Sequence, residues 1–181
     1  YSLSQNNIFK ETTNEIYLYI DEILKSKSGA FYSAEDADSE GEEGAFYTWK
    51  LDEIQKILTK DESAFFEHLY GLEEEGNFDE EVTKSKNGKN IIYLKEDLKS
   101  FSTIFSIDHA AIKEESNRIK RKLKIARDVR VRPSLDDKVL TDWNSLMISS
   151  LAKSSVVFKR AEYLDSAIES FNFISETMIQ D

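Results

Sequence analysis

The chain contains no cysteine among its 181 residues, which excludes disulfides, thiol redox chemistry and cysteine–zinc sites within it. Proline is almost as scarce, the single one being Pro133. Glycine occurs six times, and nowhere as Gly-x-Gly-x-x-Gly, a P-loop or Gly-x-Ser-x-Gly, so no motif supports nucleotide binding or serine hydrolysis. The two histidines, His68 and His109, have no metal-ligand partner at useful spacing and read as structural. No apolar run approaches the roughly 20 residues that span a bilayer, and no secretory signal is visible. A cytoplasmic setting is the resulting expectation. Basic charge is in deficit as well. With 24 Lys and Arg against 35 Asp and Glu the formal net charge is −11. That argues against nucleic acid or a membrane surface as the main partner and leaves room for a neutral polar ligand such as a sugar.

What is present suffices for a core. The chain is 40% hydrophobic, with two Trp, eight Tyr and eleven Phe, and its length fits one domain or a piece of a larger one. It opens on Tyr1 and closes inside a helical pattern at Ile179-Gln180-Asp181, so the expectation is a piece of a longer protein. The charge is uneven. Residues 35–81 carry 17 acids against three lysines, whereas residues 113–138 carry ten Lys and Arg against five acids. Either these are two solvated faces, or Arg130 and Arg132 fold back towards the acidic stretch.

Apolar spacing predicts an amphipathic helix over 7–26, with Gly29 as a stop signal. Short helices follow over 51–58 and 62–70, the second ended by Gly71. The polar stretch 73–90 reads as a mobile loop and Ile91-Ile92-Tyr93-Leu94 as a short strand. Helices are expected at about 107–128, at 141–155 with Thr141 as N-cap, and at 158–180. The last carries Ala161, Leu164, Ile168, Phe171, Ile174 and Met178 on one stripe, and with its neighbour reads as an αα-hairpin. The whole is predicted to be mainly α with a small β-hairpin.

That hairpin is suggested by a repeat. Gly29-Ala30-Phe31-Tyr32 returns as Gly44-Ala45-Phe46-Tyr47, and the eleven residues between the copies hold six carboxylates. Mutual repulsion among these must be offset by solvent, a cation, basic residues or a polar ligand. Asp36, Asp38, Glu40 and Gly41 match the start of an EF-hand loop, but position 12, which should supply a bidentate glutamate, falls on Tyr47. A looser cation site stays open. So does acid/base work on a glycosidic bond by paired carboxylates, with Phe31, Tyr32, Tyr47 and Trp49 offering a sugar an apolar face. The competing reading packs these aromatics into the core. A second constellation runs from Arg130 to Asn144. It places Arg132, Asp136, Asp137 and Lys138 at the mouth of a helix, either facing a pocket or only capping and bridging.

Three blocks in this order resemble a known family: residues 29–49, Glu75-Gly76-Asn77-Phe78, and Arg132-Pro-Ser-Leu-Asp-Asp-Lys-Val-Leu-Thr-Asp-Trp-Asn144. They look like the signature of the thioredoxin-domain-containing family that includes the spermatogenesis-associated protein 20 group and its bacterial relatives. The resemblance implies an (α/α)₆ barrel of the six-hairpin glycosidase type, similar to N-acylglucosamine 2-epimerase. Residues 1–181 would be a middle piece of it, lacking the family's thioredoxin-like domain. The full-length protein would add that domain and the rest of the barrel, and the ligand would be a sugar or glycan. Neither nucleic acid nor membrane is an expected partner, and no cofactor or metal is expected. On this reading Asp36, Asp38, Glu43 and Asp136 are catalytic. Glu40, Tyr47, Trp49, Asn77, Arg132, Asp137, Lys138, Trp143 and Asn144 bind substrate. The alternative is a non-catalytic glycan- or protein-binding module. Two departures bear on the choice: Ser134 stands where the family usually has histidine, and Ser145 where it has glycine.

Overall fold

A computed structural model describes residues 1–79, 85–95 and 97–179. Among them helices dominate, and strands are confined to three two-stranded antiparallel ladders. Two compact units divide the chain: residues 1–36 with 134–181, and residues 37–133.

In the first unit, helix α1 (Asn7–Tyr19) is capped by the Asn6 side chain, which accepts the Ile8 N–H at 3.0 Å. It continues as a π-helical turn, Ile20–Leu24, so the predicted helix over 7–26 is real in extent but changes its hydrogen bonding on the way. Lys25 ends it, and the Lys25 ammonium meets Asp21 at 3.1 Å, Ser166 at 2.9 Å and Glu169 at 2.8 Å. Gly29 then sits at φ 95, where a Cβ would meet Glu169 Cβ at 2.9 Å; only glycine fits both the backbone and the space.

Helices α6 (Thr141–Phe158) and α7 (Ala161–Thr177) form the expected hairpin, joined through Lys159 at positive φ. Two expectations are corrected here. The N-cap of α6 is Leu140, without a side-chain cap, and Thr141 lies inside the first turn, its carbonyl accepting Ser145 Oγ at 2.7 Å. Of the apolar stripe read on α7, only Ile174 lies on the buried face. Tyr163, Ser166, Ala167, Ser170 and Ile174 are buried, whereas Leu164, Ile168 and Phe171 are exposed, Phe171 by 58%. Small residues let the two helices approach closely, and the larger apolar side chains are turned outward. Residue 180, the expected end of this helix, lies outside the described residues.

The second unit is built from α2 (Leu51–Ile57), α3 (Lys60–Tyr70), α4 (Leu98–Phe105) and α5 (His109–Arg127) around Trp49, Ile54, Phe66, Leu69, Phe101, Ile112, Ile119 and Leu123. Thr59 and Glu62 form a capping box at the start of α3, and Gly71 ends it at φ 58. Helix α4 was not expected, although its signal is present: Asp97 accepts the Lys99 and Ser100 N–H groups at 2.9 and 3.0 Å as N-cap.

The strands depart most from expectation. The Gly-Ala-Phe-Tyr copies are not the strands of a shared hairpin. The first is anchored at Phe31, which bridges to Lys25. The second is a turn closed on the Gly44 carbonyl by the Tyr47 and Thr48 N–H groups at 3.0 and 2.9 Å. The same tetrapeptide therefore takes two conformations, because a buried Phe can be met by different surroundings and local propensity yields to them. In the first unit β1 (Ala34–Glu35) pairs with β6 (Leu135–Asp136). In the second, β2 (Asp38–Ser39) and β3 (Glu42–Glu43) make a minimal hairpin inside the acidic stretch, and β4 (Trp49–Lys50) pairs with β5 (Lys89–Asn90). The predicted strand over 91–94 is thus displaced to 89–90. The described parts of the 73–90 loop are pinned rather than free: the Asn90 side chain accepts the Glu73 N–H and donates to the Glu73 carbonyl, both at 2.9 Å. Residues 80–84 of that loop lie outside the described residues.

Candidate functional site

In the first unit the β1–β6 ladder joins residues about a hundred positions apart. Ala34 is opposite Asp136, the Asp36 N–H donates to the Ser134 carbonyl at 2.8 Å, and Ser33 Oγ donates to the Asp136 carbonyl at 3.1 Å. Asp36, Ser134 and Asp136 consequently border one groove of about 420 Å³. The Lys138 ammonium lies 2.9 Å from both Asp136 carboxylate oxygens and holds that carboxyl below the usual range, with the exposed pair loosely held. Asp137 is exposed beside them. Glu35, on the same ladder, accepts the Tyr19 hydroxyl at 2.6 Å.

The two aromatic and amide candidates of α6 have different places. Trp143, half exposed, borders an apolar groove of about 450 Å³ between α1 and α6 together with Ile16, Tyr17, Ile20, Leu146 and Met147. Asn144 is enclosed. Its Oδ1 accepts the Phe31 N–H at 2.8 Å and Ser170 Oγ at 3.1 Å, and its Nδ2 donates to the Phe31 and Leu140 carbonyls at 2.9 and 3.0 Å. With that capacity taken up, Asn144 ties the first Gly-Ala-Phe-Tyr copy to α6 and α7.

In the second unit the acidic hairpin turns at Glu40-Gly41, at φ 55 and 79. Positive φ at both central positions is the pattern of a type I′ turn, and a glutamate there is uncommon. Asp38 and Glu43 are opposite one another across the ladder and exposed. Beneath the hairpin lies a polar cleft of about 290 Å³, to which Ser39, Glu40, Glu42, Lys50, Glu53, Lys89 and Arg130 contribute. Arg130 organises it. Its Nη1 donates to the carbonyls of Ala45, Phe46 and Thr48 at 3.1, 3.2 and 2.7 Å, its Nη2 reaches Glu53 at 3.5 Å, and its guanidinium covers the Trp49 ring at 3.9 Å. The expectation that basic residues fold back is met here by backbone carbonyls and rings. Arg132 likewise lies over Phe46 at 4.7 Å. Lys89, its side chain 13% exposed, pairs with Glu42 and lowers that carboxyl.

These contacts sort the remaining candidates. Trp49 is 4% exposed with a ring face under Arg130, so it is a core residue. Tyr47 is the exposed aromatic, packed edgewise on Phe46 and 5.6 Å from the Arg127 guanidinium. Asn77 pairs with the Ile91 backbone, donating and accepting at 2.8 Å, in the manner of a strand neighbour. His68 stacks against Phe105. Among the described residues no three acidic or histidine side chains converge as metal ligands. The sequence reading missed Lys50, Glu42, Glu53 and Lys89. Lys89 joins the cleft only through the β4–β5 pairing. The buried Asn90 that enforces this pairing was the available signal.

Comparison with known proteins places the chain. It is 31% identical to human spermatogenesis-associated protein 20 over 195 aligned positions, covering 98% of this chain and 25% of that protein. The rat protein of the same name is 30% identical over the same shares. An uncharacterised Caenorhabditis elegans protein is 31% identical over 92% of the chain. The chain therefore spans about a quarter of the length of these relatives. No family model matches it. No helix among the described residues is long and apolar enough to cross a membrane.

Proposed function

Homology to spermatogenesis-associated protein 20 along almost the whole chain is the premise from which we propose that this chain is part of an (α/α)₆ barrel that binds, and in its full-length form processes, a carbohydrate. The observation that carries the carbohydrate reading is the polar cleft of the second unit, lined by equal numbers of carboxylates and cations. A polyhydroxylated ring suits such a lining, because each hydroxyl can donate to a carboxylate and accept from an ammonium. Taken by itself, the groove of the first unit is bordered by two carboxylates, Asp36 and Asp136, of the residue type used for general acid/base work. In this reading Asp36, Asp38, Glu43 and Asp136 supply carboxylate chemistry. Glu40, Tyr47, Arg132, Asp137, Lys138 and Trp143 contact ligand, while Trp49, Asn77 and Asn144 hold the loops that present it. The rest of the barrel, a thioredoxin-like domain and a cytoplasmic setting belong to the same proposal.

Titration calorimetry of the full-length parent with simple sugars, amino sugars and calcium is the test. A sugar should bind the wild type and bind the Asp36→Asn, Asp136→Asn and Glu40→Gln variants at least about tenfold more weakly, the cost of one charge-assisted hydrogen bond. Silence from every sugar sinks the reading, and a response to calcium alone turns the acidic stretch into a metal site.

One observation favours a second reading, a binding module without turnover. Position 134, between Asp36 and Asp136 in the groove, is a serine, which has no proton to exchange near neutral pH unless a base activates it. Product analysis after incubation with the bound sugar separates the two, since a binder returns its ligand unchanged.

A further inference from the structure

Six charged side chains contribute to the cleft of the second unit, and the fold uses four of them. Glu42 and Lys89 neutralise one another. Arg130 spends its donors on three carbonyls and Glu53, and Glu53 also accepts the Lys50 N–H at 2.8 Å. The Glu40 carboxylate and the Lys50 ammonium remain: among the described residues neither makes a direct ion pair, and Lys50 acts on Glu42 and Asp52 only at longer range. Glu40 is carried at the tip of the hairpin, where its side chain has no core to serve. The surroundings are not symmetric between the two. Three glutamates contribute to the cleft, Asp38, Glu43 and Asp52 lie close by in sequence, and the chain carries −11 overall. An anion entering the cleft meets one uncommitted cation within a negative field, whereas a cation meets an uncommitted carboxylate. A phosphoryl group, which needs several donors, is poorly served. At about 290 Å³ the cleft stands at the small end of ligand sites, which run from about 300 to 1,000 Å³, and suits one ring rather than a chain of them.

Resting on the carbohydrate reading above, we propose that this cleft takes a single sugar ring bearing a free amine, with Glu40 receiving the ammonium and Lys50 donating to a ring oxygen, and that it rejects phosphorylated sugars. The test is titration of the full-length protein with glucosamine, glucose and glucose 6-phosphate, at low and high salt and at a pH where the amine is charged. Glucosamine should bind about fivefold more tightly than glucose at low salt, the worth of one partly exposed ion pair, and lose that margin at high salt. Glucose 6-phosphate should bind more weakly than either. In Glu40→Gln the amine preference should vanish, so that glucosamine binds that variant no more tightly than glucose does. Glu40→Asn, whose side chain tolerates positive φ, checks that the turn is intact. Glucose 6-phosphate binding as tightly as glucose, or an amine preference that survives Glu40→Gln, overturns the proposal and leaves the carbohydrate reading standing. Failure of all three sugars to bind the wild type overturns both.

Discussion

Single residues in this chain are set by their partners more than by their type. Glu62 is the clearest case. Its side chain is almost enclosed, and the Lys122 ammonium at 2.6 Å, the Thr59 N–H at 2.8 Å and Arg118 at 2.8 Å hold its carboxyl down at about 2. The folded value lies below that of the unfolded chain, so the stabilisation is complete above pH 4.5 and is lost as the pH falls towards 2. Glu62→Gln should flatten the stability profile between those values and cost about 2 kcal/mol near neutrality, the worth of a hydrogen bond to a charged group. Urea titrations at a series of pH values measure it, and parallel profiles for variant and wild type would refute it. In sequence Glu62 is legible only as a capping residue. Its cations, sixty positions away on α5, are not.

Among elements, the α6–α7 hairpin depends on a buried polar seam that its apolar pattern hides. Asn144, Ser166 and Ser170 are all enclosed, and Asn144 bonds to both the Phe31 backbone and Ser170. Asn144→Ala should leave the Phe31 N–H buried without a partner and destabilise the first unit by about 2–3 kcal/mol. Thermal unfolding followed by circular dichroism gives the answer, and a loss below about 0.5 kcal/mol would mean that water replaces the amide. The loop before β5 makes a similar point at Gly76. At φ 92 it has the Lys89 carbonyl oxygen 2.5 Å from where a Cβ would stand, so Gly76→Ala should lower the melting temperature and loosen the β4–β5 pairing that brings Lys89 to the cleft. A melting temperature equal to that of the wild type would argue that this approach is not needed. The glycine was visible in sequence, but the neighbour that forbids a side chain was not.

At the scale of the whole molecule, apolar side chains remain uncovered. On α6 Leu146 is 69% exposed, and on α7 Leu164, Ile168 and Phe171 are exposed along one stripe. A contiguous apolar face of this kind marks an association surface. The 181-residue chain should self-associate at micromolar concentration, and Ile168→Glu with Phe171→Glu should return it towards monomer. Sedimentation velocity at several concentrations decides this, and a monomeric wild type would show that the exposed stripe is solvated without consequence.

Composition and periodicity alone determined the helical class, most helix positions and the glycine stop at Gly71, because these follow from spacing and backbone sterics along one short segment. The signature blocks contain Asp36 and Asp136, which border one groove in the folded first unit. What only the tertiary structure decided is which residues meet. The pairing of β1 with β6 joined Asp36 to Ser134, and that of β4 with β5 carried Lys89 to the cleft. The two identical tetrapeptides went separate ways, one held by Asn144 and the other wrapped around Arg130. Such choices rest on contacts between residues up to about a hundred positions apart, whose energies depend on burial and on competing hydrogen-bond partners, and no local window of sequence contains those quantities.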